Sequence, residues 1–543
     1  MNRLIIIILC SLSIAFAQET DTLYILQTTD LHGQIYPYNY FTDQPDERGG
    51  LAKVYTRVKE YRQKHKNVIL LDSGDLMQGT PLAYYFNQNE RHLTHPMILT
   101  MNYMGYDAFA VGNHDIEQGL FVYTQAEKNS NFPWLSANSV MEDGRTFFEP
   151  STIIERGTIK IGIFGLTTPG IPMWLDKTLY PGIEWQDMVE TAKSKIKSLR
   201  PKVDVMLGTF HAGFNAEYSK AASDAAGIPN ENASTWVAEQ VKEFDVVFAG
   251  HSHRAGPMKI GKENKMLFDG EPAKINAGFW GRNLAVIEII LKKENDAWKI
   301  TNKSGWIESM KDVEPSQSIL DLTEYYHKTT LKYIRTEIGS LTKAIDAKKS
   351  KFKDTAVIEL INKAQIAHTG ADISFAASFN DRFSMEAGPI SIKDIYGMYR
   401  YENFLYMVEM SGQQIKDFLE YSAKYFEMED GKIIGSKKIP GFNYDMAEGV
   451  NYKIDVRKPV GQRIIKMKDA KTGKAFDLKR KYKVALNSYR ASGGGGHMAA
   501  AGASDNPIIF KSSKEMRNIL IDYISSEKTI TPSVDGNWEI VKN

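Results

Sequence analysis

The chain reads Ala108-Phe109-Ala110-Val111-Gly112-Asn113-His114-Asp115, a short apolar run that ends in a glycine and three polar residues. The same arrangement recurs where Leu23–Gln27 precedes Asp30 and His32, Val68–Leu71 precedes Asp75, Val203–Leu207 precedes His211, and Val246–Ala249 precedes His251 and His253. Short β-rich runs separated by helix-length segments predict a layered α/β domain. Because ligands bind outside the carboxyl ends of the strands in such sheets, we expect these polar residues to meet at one site.

These polar residues are typical ligands of divalent metal ions. Imidazole and carboxylate groups bind zinc, manganese, iron or cobalt, and the sequence does not distinguish among them. Two such ions about 3.5–4 Å apart, held by a bridging carboxylate, orient and acidify a water molecule and neutralise phosphate oxygens. A single histidine is more often structural, but this ordered set predicts a dinuclear metal site. The set comprises Asp30, His32, Asp75, Asn113, His211, His251 and His253, and it leaves His114 over.

The overall composition is that of an ordinary soluble globular protein. Hydrophobic residues make up 43% and charged residues 24% of the 543 residues. These values exclude a wholly disordered, collagen-like or multi-span membrane chain. The 67 basic and 66 acidic residues nearly cancel. No global field therefore attracts nucleic acid or an anionic membrane, and any anionic substrate must be bound by local groups.

The first 17 residues have the pattern of a secretory signal peptide. Arg3 gives a positive start, Leu4–Leu9 is unbroken apolar sequence, and Ala15-Phe16-Ala17 is a suitable cleavage site. The single cysteine, Cys10, lies inside this segment, so the mature chain should contain no disulfide. No later apolar stretch approaches the length of a membrane span. We therefore expect an exported protein, located in the bacterial periplasm, without a stable membrane anchor.

The remaining chain is predicted to form two domains joined by a helix. Residues 18–312 carry the alternating strand and helix patterns of the first domain. Residues 313–337 are interpreted as a linking helix that Pro315 opens. Residues 338–543 contain further strand patterns and the predicted helix Gly412–Ser422, which is typical of a second α/β domain.

The order of the metal-type residues, D-x-H, G-D, G-N-H, H and G-H-x-H, resembles that of the calcineurin-like metallophosphoesterases. The two-domain length and the segment Asn487-Ser488-Tyr489-Arg490-Ala491-Ser492-Gly493-Gly494-Gly495-Gly496 are similar to the 5′-nucleotidase family. The resemblance covers nearly the whole mature chain. It implies an N-terminal four-layer β-sandwich flanked by helices and a C-terminal α/β domain that recognises a nucleotide.

The resemblance also implies a role for each residue of the predicted metal site. One ion would be bound by Asp30, His32 and His253, the other by Asn113, His211 and His251, and Asp75 would bridge the two. His114 would contact the phosphate and stabilise charge in the transition state. A carboxylate three positions later orients this histidine in many relatives, and here that position is Glu117 in place of the commoner aspartate. Asp115 is the competing candidate for the orienting role.

Two aromatic segments of the C-terminal half predict a clamp for a nucleoside. They are Tyr399-Arg400-Tyr401-Glu402-Asn403 and Asn487–Gly496. Two aromatic rings can sandwich a base at about 1–3 kcal/mol per stack, and a glycine run lets the backbone approach a ribose. By resemblance to the family, Tyr401 and Tyr489 are these rings. The alternative is that both are ordinary core or surface tyrosines.

Departures from the 5′-nucleotidase pattern suggest which phosphate is cleaved. That group has a Gly-Gly-x-Arg motif where this chain reads Ala376-Ala377-Ser378-Phe379-Asn380-Asp381-Arg382-Phe383, and an aspartate where this chain has Gly495. Without an acid at the ribose edge there is room for phosphate on the 2′ or 3′ oxygen. The late loop, together with residues 444–456 and 46–51, is similar to the 2′,3′-cyclic-nucleotide 2′-phosphodiesterase/3′-nucleotidase branch.

The resemblance therefore implies hydrolysis of 2′,3′-cyclic nucleotides and 3′-nucleotides to nucleoside and phosphate by a metal-bound hydroxide. A 5′-nucleotidase or a nucleotide-sugar hydrolase with the same metals is the nearest alternative. An inactive nucleotide-binding surface protein is the alternative from another class. A small nucleotide is the expected partner, with no nucleic acid, and the chain is expected to be a monomer.

Overall fold

A computed structural model describes residues 19–541 of the chain. The predicted signal peptide, residues 1–17, lies outside the described residues. Among those described, no helix combines the length and the apolar character that crossing a membrane requires.

Two mixed sheets form the centre of the N-terminal half. In spatial order, the first contains Met266–Leu267, Ala297–Ser309, Asn283–Glu294, Thr20–Thr28, Asn67–Asp72, Ala108–Ala110 and Trp134–Leu135. The second contains Ala273–Ile275, Val246–Ala249, Val205–His211, Ile159–Thr167 and Ser151–Arg156. The strands that precede the predicted metal-type residues pair in parallel within each sheet, so their carboxyl ends lie at the same edge.

The two sheets pack face to face over one hydrophobic cluster. This cluster contains Ile25 and Ile69 of the first sheet and Ile161 and Leu207 of the second, all fully buried. Successive side chains of a strand point to opposite faces of its sheet, so every second side chain points away from this cluster. Helices cover these outer faces, which gives four layers: helices, sheet, sheet and helices. The helices of this half are Leu51–Lys64, Pro81–Gln88, Pro96–Met104, Asn113–Ile116, Leu120–Asn129, Met188–Lys195, Ala216–Ala226 and Ser234–Gln240. The predicted four-layer α/β sandwich is confirmed.

One strand differs from its prediction in a way that matters for the site. The sequence predicts a strand over Val203–Leu207, whereas the strand runs over Val205–His211. Gly208 and Thr209 do not end it, because residues 205–211 pair in parallel with Ile161–Thr167 along their whole length. Pairing in the sheet outweighs the weak strand propensity of a single glycine. His211 is therefore the last residue of a rigid strand, not part of a loop.

The predicted linking helix is two helices, Gln317–Leu322 and Glu324–Ile334. The prediction of a single helix was wrong at Thr323, which leaves the helical backbone region at φ −112° and ψ 13°. Its hydroxyl donates a hydrogen bond to the Ile319 carbonyl at 2.7 Å, but Thr330 makes the same contact with Tyr326 at 2.8 Å inside an unbroken helix, so this bond alone does not cause the break. The first helix begins two residues after Pro315, with Ser316 preceding it.

A second α/β unit follows. Its central sheet contains, in spatial order, Asp445–Glu448, Ile373–Ala377, Lys481–Asn487, Phe404–Ser411 and Ile508–Glu515. Two smaller sheets contain Gly388–Ser391, Glu337–Leu341 and Thr529–Ile530, and Ile464–Asp469, Val450–Ile454 and Trp538–Ile540. The helices are Ala356–Thr369, Ile392–Met398, Gly412–Ser422, Ser488–Ala491, His497–Ala500 and Met516–Glu527. The predicted helix Gly412–Ser422 has the same bounds in the structure.

Polar contacts join the two halves. The Asn518 amide donates to the Tyr84 hydroxyl at 2.6 Å. Gln118 donates to the Glu402 carboxylate at 3.2 Å, and Glu402 is buried by its contact with Arg517 at 2.8 Å. The segment around Glu402 therefore lies directly beside the polar residues that follow strand 108–110.

Candidate active site

The carboxyl ends of strands from both sheets bring two groups of possible metal ligands together. One group contains Asp30, His32, Asp75 and His253, and the other contains Asp75, His211 and His251. The donor atoms within each group all lie within 4.8 Å of one another. Asp75 belongs to both groups, so a carboxylate lies where the sequence predicts a bridging ligand.

Asn113 completes the second group. Its side-chain oxygen is 3.1 Å from His211 Nε2. It starts the one-turn helix Asn113–Ile116, and Gly112 in front of it lies so close to Asp75 that any larger side chain at residue 112 would collide with the carboxylate. The glycine is therefore needed for this close approach.

The backbone at the candidate ligands is held in an uncommon conformation. Positive φ values are found at Asp30 (51°), His32 (49°), Asp75 (63°), His251 (67°) and His253 (54°). Non-glycine residues in this region cost of order 1–3 kcal/mol each, and such strain clusters at functional sites. The concentration of strained residues at these positions is consistent with side chains aimed at a ligand.

Hydrogen bonds to backbone carbonyls set the tautomers of two histidines. His32 Nδ1 is 2.9 Å from the Gln78 carbonyl, and His211 Nδ1 is 2.7 Å from the Ser73 carbonyl. A carbonyl can only accept, so each Nδ1 carries a proton and each Nε2 points toward the other candidate ligands. Burial lowers the pKa of His211, but the charge and hydrogen bond of Asp75 outweigh it and raise that pKa to about 9, so a metal ion bound at His211 would displace the Nε2 proton. Gln78 and Ser73 are functional neighbours that no motif in the sequence marks.

The protonation states also suit metal binding. Burial lowers the pKa of His32 to about 4 and that of His251 to about 3, so both rings are neutral at pH 7. Burial raises the pKa of Asp75, but the neighbouring His211 and His114 outweigh it and hold that pKa well below its usual range. Neutral imidazole and ionised carboxylate are the forms that bind metals. The residues present therefore fit divalent metal ions.

His114 is oriented by Glu117, not by Asp115. His114 Nδ1 lies 2.5 Å from the Glu117 carboxylate. Asp115 is fully occupied by backbone N–H groups and accepts hydrogen bonds from Gly112, Asp75, Leu76 and Met77 at 2.8–3.1 Å. Burial lowers the pKa of His114, but the negative charges of Asp75 and Glu117 outweigh it and raise the pKa to about 10.

A cavity of about 790 Å³ opens between the two halves beside this cluster. His32, His114 and His253 line it on one side, and Tyr401 lines it on the other. The Tyr401 ring is 41% exposed and packs edge-on against Phe379 at 5.2 Å. The structure thus places one of the two predicted clamp tyrosines in the same cavity as the candidate metal ligands.

Tyr489 is more buried and lies at the boundary between the halves. It is half-buried, and the cavity lining contains Tyr401 but not Tyr489. Its role in binding a base stays a prediction.

The loop after Tyr489 is anchored by Arg490. Its guanidinium is buried and donates to both oxygens of Asp445, at 2.7 and 3.2 Å, and to the Gly494 carbonyl at 2.7 Å. Gly495 has φ 73°, and a side chain there would collide with Arg490. A larger residue at position 495 would therefore have to displace the ends of the Arg490 and Asn443 side chains.

Replacement of Arg490 by alanine is expected to lower the free energy of unfolding by about 3–5 kcal/mol, because Asp445 would remain buried without its partner. Denaturant unfolding followed by circular dichroism measures this. Arg457→Ala is the matched control: its pair with Asp455 is 2.8 Å long but the arginine side chain is 51% exposed, so little change is expected. Equal losses for the two variants would contradict the anchoring role.

Aromatic and cationic residues that no sequence motif predicts surround the candidate metal ligands. Phe279 stacks on His253 at 5.2 Å, and Trp174 lies 5.4 Å from His251. The Arg282 guanidinium lies over the rings of Phe279 and Trp280, at 4.4 and 4.9 Å. One sequence feature could have identified these residues. The segment 278–281, Gly-Phe-Trp-Gly, follows a strand in the same way as the candidate metal ligands do.

Comparison with known families gives two matches. The calcineurin-like phosphoesterase family matches residues 23–255. The 5′-nucleotidase C-terminal domain matches residues 305–502. All the candidate metal ligands lie within the first match, and both clamp tyrosines lie within the second.

Two curated proteins are similar over most of the chain. A Haemophilus influenzae 2′,3′-cyclic-nucleotide 2′-phosphodiesterase/3′-nucleotidase is 28% identical over 95% of this chain and 87% of its own length. The trifunctional nucleotide phosphoesterase protein YfkN of Bacillus subtilis is 29% identical over 95% of this chain. The chain spans only 38% of the length of YfkN.

A solved structure shares the whole fold. A putative 5′-nucleotidase from Staphylococcus aureus, in complex with alpha-ketoglutarate, matches with a TM-score of 0.81 and 24% identity. The match covers 96% of this chain and 100% of the other. The two halves of this structure therefore occur together, in the same overall fold, in a single solved chain.

Proposed function

Because the chain belongs to the 5′-nucleotidase family of calcineurin-like phosphoesterases, we propose that it hydrolyses 2′,3′-cyclic nucleotides and 3′-nucleotides to nucleoside and phosphate. The observation that carries this proposal is the shared carboxylate of Asp75 between two donor groups. His32 and His253 of one group line a cavity that Tyr401 of the C-terminal half also lines. A site that binds two cations beside an aromatic wall suits a phosphate joined to a nucleoside.

Two divalent metal ions are the proposed cofactors. Bound there, they would supply an activated water nucleophile and would neutralise phosphate oxygens. The residues proposed to hold them are Asp30, His32, His253 and Asp75 for one ion, and Asn113, His211, His251 and Asp75 for the other.

His114 and Glu117 are the proposed catalytic pair. With Nδ1 bonded to Glu117, the His114 ring has Nε2 left to face the cavity that it lines. A protonated ring donates from Nε2 to an oxygen of the phosphoryl group, where negative charge increases in the transition state. Glu117 keeps the ring in this orientation and stabilises its positive charge.

The choice of phosphate position rests on the C-terminal loop. A carboxylate at residue 495 would compete with a phosphate on the 2′ or 3′ oxygen, and the position holds a glycine with φ 73°. The name of the Haemophilus influenzae relative points the same way. Tyr401 and Tyr489 are proposed to stack on the base, which makes recognition tolerant of base identity.

The N-terminal pattern supports export, and we propose a periplasmic location on that basis. Enrichment of the protein in an osmotic-shock fraction, with Gln18 as its first residue, would support this. A full-length chain retained inside the cell would contradict it.

Turnover of defined nucleotides tests the proposed reaction. The chain from Gln18 onward, loaded with Mn²⁺, Co²⁺ or Zn²⁺, is expected to release phosphate from 2′,3′-cyclic AMP and 3′-AMP. We expect kcat/KM for 3′-AMP to exceed that for 5′-AMP by at least about tenfold. The reason is that the proposed site binds the transition state for cleavage at the 3′ oxygen more tightly than that for cleavage at the 5′ oxygen. Preference for 5′-AMP or a nucleotide sugar would replace the proposal with that alternative, and metal-free protein is the control.

A further inference from the structure

The cavity beside the candidate metal ligands has a strongly basic wall. Its lining includes Arg48, Arg282, Arg382, Lys393 and Arg400, whereas Asp394 is the one acidic residue that lines it. Asp394 is already engaged, since it accepts hydrogen bonds from the Ser391 backbone and hydroxyl at 2.7 Å each. The wall therefore carries positive charge that the cavity itself does not neutralise.

Two of these cations have carboxylate partners outside the cavity. Arg48 is bound to Asp46 at 2.6 Å, and Lys393 lies 3.3 Å from Asp43. Within residues 19–541, the other three, Arg282, Arg382 and Arg400, have no carboxylate oxygen within 4.0 Å of the guanidinium group, and Arg382 and Arg400 are exposed. Arg282 comes from the N-terminal half and the other two from the C-terminal half, so they face the cavity from both sides.

Arg282 is the most constrained of the three. Its guanidinium rests on the rings of Phe279 and Trp280 and is only partly exposed. Burial lowers the pKa of Arg282 and the nearby charge of Arg48 lowers it further, while the Asp46 carboxylate raises it. A half-buried guanidinium that shares its nearest carboxylate with another arginine is stabilised by a further anion.

The loop that carries Arg282 is tied directly to the candidate metal site. The Trp280 N–H donates to the Asp30 carbonyl at 2.9 Å, and the Trp280 carbonyl accepts from the Gly50 N–H at 3.0 Å. Trp280 itself has φ 58°, which is a rare conformation for so bulky a residue. Such strain persists where the surrounding structure fixes it, often at ligand-binding positions. The arginine is thus held in a defined place relative to Asp30.

We propose that Arg282, Arg382 and Arg400 bind a second, non-scissile phosphate, so that nucleoside 3′,5′-bisphosphates are better substrates than 3′-mononucleotides. This inference rests on the proposed function. A mononucleotide places its single phosphate at the metal ligands and leaves these guanidinium groups without a partner. Arginine binds phosphate through two parallel hydrogen bonds, and a cavity of about 790 Å³ has room for the additional group.

Kinetic selectivity tests the proposal. The ratio of kcat/KM for adenosine 3′,5′-bisphosphate to that for 3′-AMP is expected to be at least about 10 in the wild-type enzyme, with the difference mainly in KM. Arg282→Gln and Arg400→Gln should each lower this ratio by about 3- to 10-fold. A folding defect would lower activity on both substrates and leave the ratio unchanged. Arg145→Gln, at a surface arginine that is 79% exposed, is the control.

Binding to metal-free protein separates this proposal from the proposed reaction. In EDTA, titration calorimetry should show that adenosine 3′,5′-bisphosphate binds more tightly than 3′-AMP, and that Arg282→Gln removes the difference. If no nucleotide is hydrolysed but this difference is present, the proposed function fails and the phosphate site stands. Hydrolysis of 3′-AMP with a selectivity ratio near one, unaffected by Arg282→Gln, would overturn the phosphate site alone.

Discussion

Replacement of Asp75 by asparagine is expected to lower kcat by on the order of 10³-fold or more, equivalent to about 4 kcal/mol of barrier. Asp75 is the one residue that both donor groups contain. Its replacement by a neutral side chain would therefore remove a negatively charged ligand from each of the two proposed metal ions. Bound metal should fall with activity. Metal analysis by mass spectrometry and initial rates on 3′-AMP measure the two effects on the same preparation.

Asp72→Asn is the matched control for this variant. Asp72 is equally buried and lies three residues earlier, but burial raises its pKa well above the usual range. Asp72 belongs to neither donor group, so an asparagine there removes no candidate metal ligand. It can still accept from the Gly74 N–H and donate to the Thr28 hydroxyl, which replaces the present contacts at 2.8 and 2.7 Å. Full activity and metal content in Asp75→Asn would refute the bridging role.

His114→Asn is expected to lower kcat by about 10²- to 10⁴-fold while the metal content stays at the wild-type level. The ring lines the cavity and belongs to neither donor group, so its loss affects charge stabilisation and not metal binding. Glu117→Gln should cause a smaller loss, about 10- to 100-fold, because the ring remains but loses its orienting charge. Single-turnover rates and metal analysis measure both.

His92→Asn serves as the control, since this exposed histidine lies away from the site and its replacement should leave kcat unchanged. A His114→Asn enzyme that loses metal in proportion to activity would show that His114 is a ligand. Equal activity of Glu117→Gln and wild type would show that the 2.5 Å contact does not matter for the reaction.

The strand ends that bear the candidate ligands were largely predictable because each strand is a short apolar run followed by a turn. The predicted strand Val246–Ala249 has the same bounds in the structure, and Leu23–Gln27 lies inside the observed Thr20–Thr28. The prediction at His211 failed because its strand continues through Gly208. That extension depends on pairing with a strand more than forty residues away, and local propensity does not contain it.

The sequence pattern did not predict that the candidate metal ligands are distributed over two sheets. The pattern predicts strands that end at a common edge, and only the packing of one sheet on the other brings His211 and His251 against Asp75. The break at Thr323 was hidden for a similar reason, since the apolar spacing on both sides of it is helical. Thr323 departs from helical backbone angles although its N–H still bonds to the Ile319 carbonyl at 3.1 Å, and the local sequence gives no signal of this break.

The sequence by itself determined the two-domain α/β architecture, the identity of the candidate ligands and the absence of an acid at residue 495. These follow from apolar periodicity, from residue types that bind metals, and from order along the chain. Only the tertiary structure decided that Glu117 and not Asp115 contacts the His114 ring, and that Arg282 and Arg400 line one cavity. The physical reason is that hydrogen bonding and charge depend on distances between residues far apart in sequence, which the packing of sheets and domains sets.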